Sequence, residues 1–157
     1  MVMARKTGRR GFTIIELMVV VTVLAILATL AVPSMRDMLI ATQVRAAASD
    51  LFSSVILARS EAIKRATSVS VVPASGEWAN GWSVVVGTTV LDTHDAATNV
   101  TITPNTGGNI TYRLDGRVST NVRSLTLSTT VATNPVAPRC VVIDASGRAS
   151  IKANGCS

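Results

Sequence analysis

The chain has 157 residues, 48% of them hydrophobic, with a mean hydropathy of +0.42, which bounds it to one modest domain once an N-terminal apolar run is set aside. Its formal net charge of +6 is uneven: Arg5, Lys6, Arg9 and Arg10 precede the apolar run, and without them 11 basic residues face 9 acidic ones, a balance of +2. The pI of about 10.4 is therefore largely a property of the leader and excludes little about the rest.

Residues 1–11 form a short basic leader ending Arg9-Arg10-Gly11. Residues 12–32 follow as an apolar run whose only charge is Glu16. At about 1.5 Å per helical residue the run is long enough to cross a hydrocarbon layer of roughly 30 Å. The positive leader puts the N-terminus on the cytoplasmic side. A carboxylate inside such a run costs at least a few kcal/mol, so Glu16 reads as a functional group. A secretory signal peptide would carry its small-residue cleavage site after the apolar run, whereas Gly11 comes before it. Arg9-Arg10-Gly11-Phe12 half-matches a twin-arginine export signal, but Glu16 and the lack of an Ala-x-Ala site speak against that.

Over residues 33–66 the pattern turns amphipathic. Pro33 should weaken or kink the helix. Beyond it Ile40, Val44, Ala47, Leu51, Val55, Ala58 and Ala62 recur at spacings of three and four, which predicts one stripe facing a core. A helix from Phe12 to about Ala66 would be roughly 80 Å long. Arg59 and Glu61 read as part of a solvated face beside the stripe.

Residues 67–157 look β-rich. Candidate strands are Ser68–Val72, Trp82–Val86, Val100–Thr103, Ile110–Leu114, Arg123–Leu127, Arg139–Ile143 and Arg148–Lys152. Asp115-Gly116 and Ala145-Ser146-Gly147 are turn signals, the second closing a hairpin between the last two strands. Residues 87–99 and 129–138 read as loops. Trp78 and Trp82 should cover one end of a sheet. Only two cysteines occur, Cys140 and Cys156, in the part this orientation places outside the cytoplasm, where a disulfide is favoured over a metal pair.

No catalytic constellation stands out. The single His94 lies beside Asp92 and Asp95 with no second histidine or free cysteine for a metal site or triad. Asp115 and Asp144 suit turn caps better than acid/base work. There is no phosphate-binding glycine loop, and no cofactor or metal is expected. The sequons at Asn99 and Asn109 carry little weight if the source is bacterial, as the leader suggests. From residue 109 onward Arg113, Arg117, Arg123, Arg139, Arg148 and Lys152 face only Asp115 and Asp144, an excess that suits a polyanion.

Gly11-Phe12-Thr13-Ile14-Ile15-Glu16-Leu17 resembles the class III signal of type IV pilins and of the pseudopilins of type II secretion. The resemblance implies cleavage between Gly11 and Phe12 by a prepilin peptidase and methylation of the new Phe12 amine. It also implies an assembly role for Glu16, whose carboxylate would meet the Phe12 amine of a neighbouring subunit. Ala58-Arg59-Ser60-Glu61-Ala62-Ile63-Lys64-Arg65, Trp78-Ala79-Asn80-Gly81-Trp82, Gly116-Arg117 and Gly147-Arg148 are similar to the GspH/FimT branch of minor pilins and pseudopilins.

The resemblance implies an α+β fold, a long N-terminal helix packed on a small antiparallel β-sandwich or sheet. It implies a structural, non-enzymatic minor pilin of a type IV pilus, or alternatively the H-type pseudopilin of a type II secretion system. The partners implied are other pilins in a filament, the prepilin peptidase and the bacterial inner membrane, crossed once before release into a periplasmic or extracellular filament. FimT-type pilins linked to DNA uptake carry a Gly-Arg-x-Arg motif; here Gly147-Arg148-Ala149-Ser150 keeps its first half. Arg148 and Lys152, with Arg139 and Arg117, are the candidate DNA contacts.

Overall fold

The computed structural model describes residues 11–129, 131 and 136–156, with the side chains of residues 30–34 outside that description. The basic residues of the leader, Arg5 to Arg10, and residues 130 and 132–135 of the expected loop 129–138 therefore lie outside the described residues. The chain divides into two compact units, Met1–Met35 and Arg36–Ser157.

In the first unit helix α1 (Ile14–Arg65, which continues into the second unit) begins one residue after Thr13. The Thr13 hydroxyl accepts from the amide of Glu16 at 3.3 Å and its carbonyl from the amide of Leu17 at 3.2 Å, an N-cap of the usual kind. Phe12, Ile14, Ile15, Leu17 and Met18 are all more than 60% exposed, and apolar residues point outward on every side of this part of α1. Among the described residues no helix is long and apolar enough to cross a membrane. The expected span over 12–32 includes residues 30–32, whose side chains lie outside the description, so the span is an expectation from sequence. The helix is assigned without a break through Pro33.

The second unit holds the core. The apolar stripe of α1, Ile40, Val44, Ala47, Leu51, Val55, Ala58 and Ala62, is buried, and Ala48 joins it. It packs against two antiparallel four-stranded sheets that share one hydrophobic cluster with it. The strands are β1 (Val69–Pro73), β2 (Gly81–Val86), β3 (Thr89–Asp95), β4 (Thr101–Pro104), β5 (Ile110–Tyr112), β6 (Ser124–Ser128), β7 (Arg139–Ile143) and β8 (Ala149–Ala153). The first sheet runs β3-β2-β1-β5 and the second β4-β6-β7-β8. The fold is the α+β arrangement expected, a long helix on antiparallel sheets.

One element departs from expectation. Residues 87–99, expected as a loop, contain strand β3, which pairs with β2 across a bulge at Val84/Val85. As an edge strand with no fully buried residue, β3 lacks the apolar alternation that reveals a half-buried strand. Both tryptophans are core residues, each 2% exposed, and the Trp82 indole donates to the Ser54 hydroxyl at 2.9 Å.

Candidate functional site

At the head of α1, Glu16 is exposed in the first turn, where the positive end of the helix dipole favours a carboxylate. It takes part in none of the ion pairs among the described residues. A Cβ added at Gly11 would meet no described atom within 4 Å, and Phe12 is 79% exposed.

At the other end of α1 a clasp joins the helix to both sheets. Arg59 donates from Nε to the carbonyl of Gly116 at 3.1 Å and from Nη2 to the carbonyl of Ser146 at 3.2 Å. Gly116 lies in the turn after β5 and Ser146 in the β7–β8 turn, so one guanidinium ties down both. The buried Tyr112 phenol donates to the carbonyl of Gly147 at 3.1 Å, and burial raises its pKa well above the usual phenol value. The two turns abut so closely that a Cβ on Gly147 would lie 2.1 Å from the carbonyl oxygen of Gly116. With φ near +82° at Gly147 and +74° at Gly116, glycine is required at both. The sequence alone makes Arg59 a solvated residue. Yet it follows Val55 by four and precedes Ala62 by three, a spacing that puts it at the margin of the buried stripe. That spacing was the available signal; Tyr112 and the meeting of the two Gly-Arg turns gave none.

The turn acids act as caps. Asp144 accepts from the Arg148 amide at 2.9 Å and the Ser146 hydroxyl at 2.6 Å; that hydroxyl, then the amide, holds its carboxyl below the usual range. Asp115 accepts from the Arg117 amide at 3.1 Å. Glu61 pairs with Arg65 and Lys64, chiefly Arg65, which lowers its pKa.

The clasp brings Arg117 and Arg148, both exposed, to two touching turns. Ser150 pairs with Val142 and Lys152 with Cys140, so Ser150 and Lys152 share one face of the β7–β8 ribbon, and Arg148 precedes them in the same alternation. Arg139 pairs with Ala153 and lies on the opposite face, with Val141 and Ile143, which are buried in the core. The register therefore removes Arg139 from the group expected with Arg148 and Lys152, because side chains one residue apart in a strand point to opposite faces. Cys140 and Cys156 form a disulfide that ties β7 to the segment after β8, with Cα atoms 5.0 Å apart.

His94 is in β3, not a loop; it stacks on Trp82 with ring centroids 5.2 Å apart and meets the Asp92 carboxylate at 3.1 Å. Among the described residues no three His, Cys, Asp or Glu side chains are grouped to hold a metal ion.

A family model for the type II transport protein GspH matches residues 47–147. The chain belongs to the GspH family. A second model, the prokaryotic N-terminal methylation motif, matches residues 6–32. No curated protein matches the chain significantly. Among solved structures, the GspH-family fold is similar to the type IV minor pilin FimU of Pseudomonas aeruginosa strain PAO1. One crystal form gives a TM-score of 0.57 at 20% identity over 71% of this chain and 89% of that one. A second gives 0.55 at 21% identity over 69% and 91%. The GspH match, the methylation motif and the fold agree with a GspH/FimT-type pilin or pseudopilin.

Proposed function

We propose that this chain is a minor pilin of a type IV pilus, a structural subunit that helps to prime filament assembly. One observation carries the reading: a chain with a separately cored GspH-type head also has a methylation motif over residues 6–32, and from Phe12 to Leu27 its large apolar side chains are exposed. An all-round apolar helix needs a cover, and lipid first, then neighbouring helices in a filament, would provide it. The likeness of the head to FimU, described as a type IV minor pilin, points the same way. In this reading residues 1–11 are a leader, 12–32 an anchor and assembly helix in the inner membrane, 33–66 its amphipathic continuation and 67–157 the extracytoplasmic head. Prepilin peptidase cuts between Gly11 and Phe12, the Phe12 amine is methylated, and Glu16 compensates the Phe12 amine of the next subunit.

Glu16→Ala tests it: the mature chain should keep its processed, methylated mass, while its share in sheared filaments falls. Undiminished co-purification with filaments would refute the assembly role.

A second reading, the H-type pseudopilin of a type II secretion system, is favoured by the description of the matching family. Deletion separates the two, since loss of a secreted enzyme with normal pili supports secretion and the converse supports the pilus.

The pilus reading includes a sequence-independent DNA contact through Arg148, Lys152 and Arg117, supported by their exposure and by the abutting turns. Three phosphate contacts imply that raising salt from about 50 to about 200 mM weakens binding on the order of fortyfold. Arg148→Gln and Lys152→Gln should each weaken a gel shift by the intact chain, and Arg139→Gln should not. No shift by the wild type at the lower salt removes DNA from the reading.

A further inference from the structure

Arg117 and Arg148 each directly follow the glycine of a turn, and the two turns are built alike. The Gly116 amide donates to the Arg113 carbonyl at 2.8 Å and the Gly147 amide to the Asp144 carbonyl at 2.9 Å. Asp115 accepts from the Arg117 amide at 3.1 Å and Asp144 from the Arg148 amide at 2.9 Å, so in each turn a carboxylate fixes the backbone of the arginine. Neither guanidinium enters an ion pair among the described residues, and both arginines are exposed.

The turns belong to different sheets. The Arg113–Arg117 turn follows β5 of the first sheet, and the Asp144–Arg148 turn joins β7 to β8 of the second. Among the described residues no strand pairing runs between the two sheets, so no backbone ladder sets the distance between the arginines. Side chains set it instead. Arg59 donates to the carbonyl of the peptide bond that enters Arg117, that of Gly116, and to the Ser146 carbonyl of the other turn. Tyr112, from β5, donates across to the Gly147 carbonyl, in the peptide bond that enters Arg148.

We propose that Arg59 is a positioning residue for the polyanion contact: its fork holds Arg117 and Arg148 at one separation, so that the two turns engage a single DNA backbone as one bivalent site. Once one arginine is on a phosphate, the second contact is intramolecular, and its effective concentration depends on how tightly the spacing is held. Loosening the clasp lowers that concentration while leaving both cations in place. The inference rests on the DNA contact of the pilus reading and adds the residue that couples its two turns.

Gel-shift titrations of a short mixed-sequence DNA duplex with the intact chain in detergent test it, at about 50 and about 200 mM salt. Arg59→Lys keeps the charge but does not reproduce the fork that reaches both carbonyls. It should weaken binding on the order of tenfold. It should also shrink the salt effect from about fortyfold to about twelvefold, the loss of one phosphate contact. In that background Arg148→Gln should weaken binding little further, whereas in the wild type it has its full effect. Tyr112→Phe keeps the buried ring and removes only the donor to Gly147; it should move affinity and salt effect the same way by less, and it carries the test should the Arg59 variant not fold. A merely structural Arg59 would lower the active fraction and leave the salt effect and the effect of Arg148→Gln as in the wild type. That outcome, or undiminished binding by Arg59→Lys, overturns the positioning role while the DNA contact stands. No shift by the wild type removes the DNA contact and the positioning role together.

Discussion

The two stretches of α1, one in each unit of the chain, bury opposite proportions of similar residues. Between Ile14 and Leu27 the helix exposes its valines and leucines, whereas from Ile40 to Ala62 a stripe of the same residue types is almost fully buried. Hydrophobicity alone therefore does not locate a core. The second stretch has a polar side, so its apolar residues are drawn to one partner surface, and two sheets supply it. The first has no polar side and must be covered from all round.

The sharpest way to break this contrast is to cut the same side chain in both places. Leu51→Ala, at a site of 0% exposure, should destabilise the head by about 2–5 kcal/mol in denaturant unfolding. Leu24→Ala, 59% exposed, should leave the same transition within about 0.5 kcal/mol. Equal effects would mean that the first stretch packs in the isolated chain. Next comes the disulfide: Cys140→Ser with Cys156→Ser should cost about 3 kcal/mol, from the cross-link over a sequence separation of 16. The loss should appear in the head transition only.

Arg59→Ala should cost about 1–3 kcal/mol, because two backbone carbonyls lose a charged donor. Arg59→Lys should recover only part of this, since one ammonium does not reproduce the fork that reaches both turns. The smallest effect is with pH. Asp144 and Glu61 have lowered carboxyl pKa values in the folded head. Their contribution is present above the unfolded-state carboxylate pKa and is lost as pH falls through the folded values. Asp144→Asn should slightly lower the head's stability at neutral pH, where the contribution is present, and leave strongly acid pH nearly unchanged, so that the acid limb of the stability profile flattens.

Much of this was legible in the chain. The N-terminal signal, the buried stripe and the Arg139–Ile143 strand follow from local patterns, because helix and strand periodicities are written in adjacent residues. Strand β3 was hidden, since an exposed edge strand needs no apolar face. The candidate site was legible in its parts and not in their grouping. Arg148 and Lys152 share an alternation that sequence can count, but Arg139 differs by a parity that only the β7–β8 register reveals.

Local patterns along the chain establish a pilin-type N-terminal methylation motif, a helix that changes from all-round apolar to amphipathic, and a small β-rich head. These depend on neighbours a few residues apart. That Arg59 clasps two glycine turns, 57 and 87 residues away, and that Asp50 and Arg45 of α1 line clefts on different flanks, follow from the packing of the sheets on the helix. Those features require two sheets to close on one helix, and the pairing of distant strands sets which side chains meet.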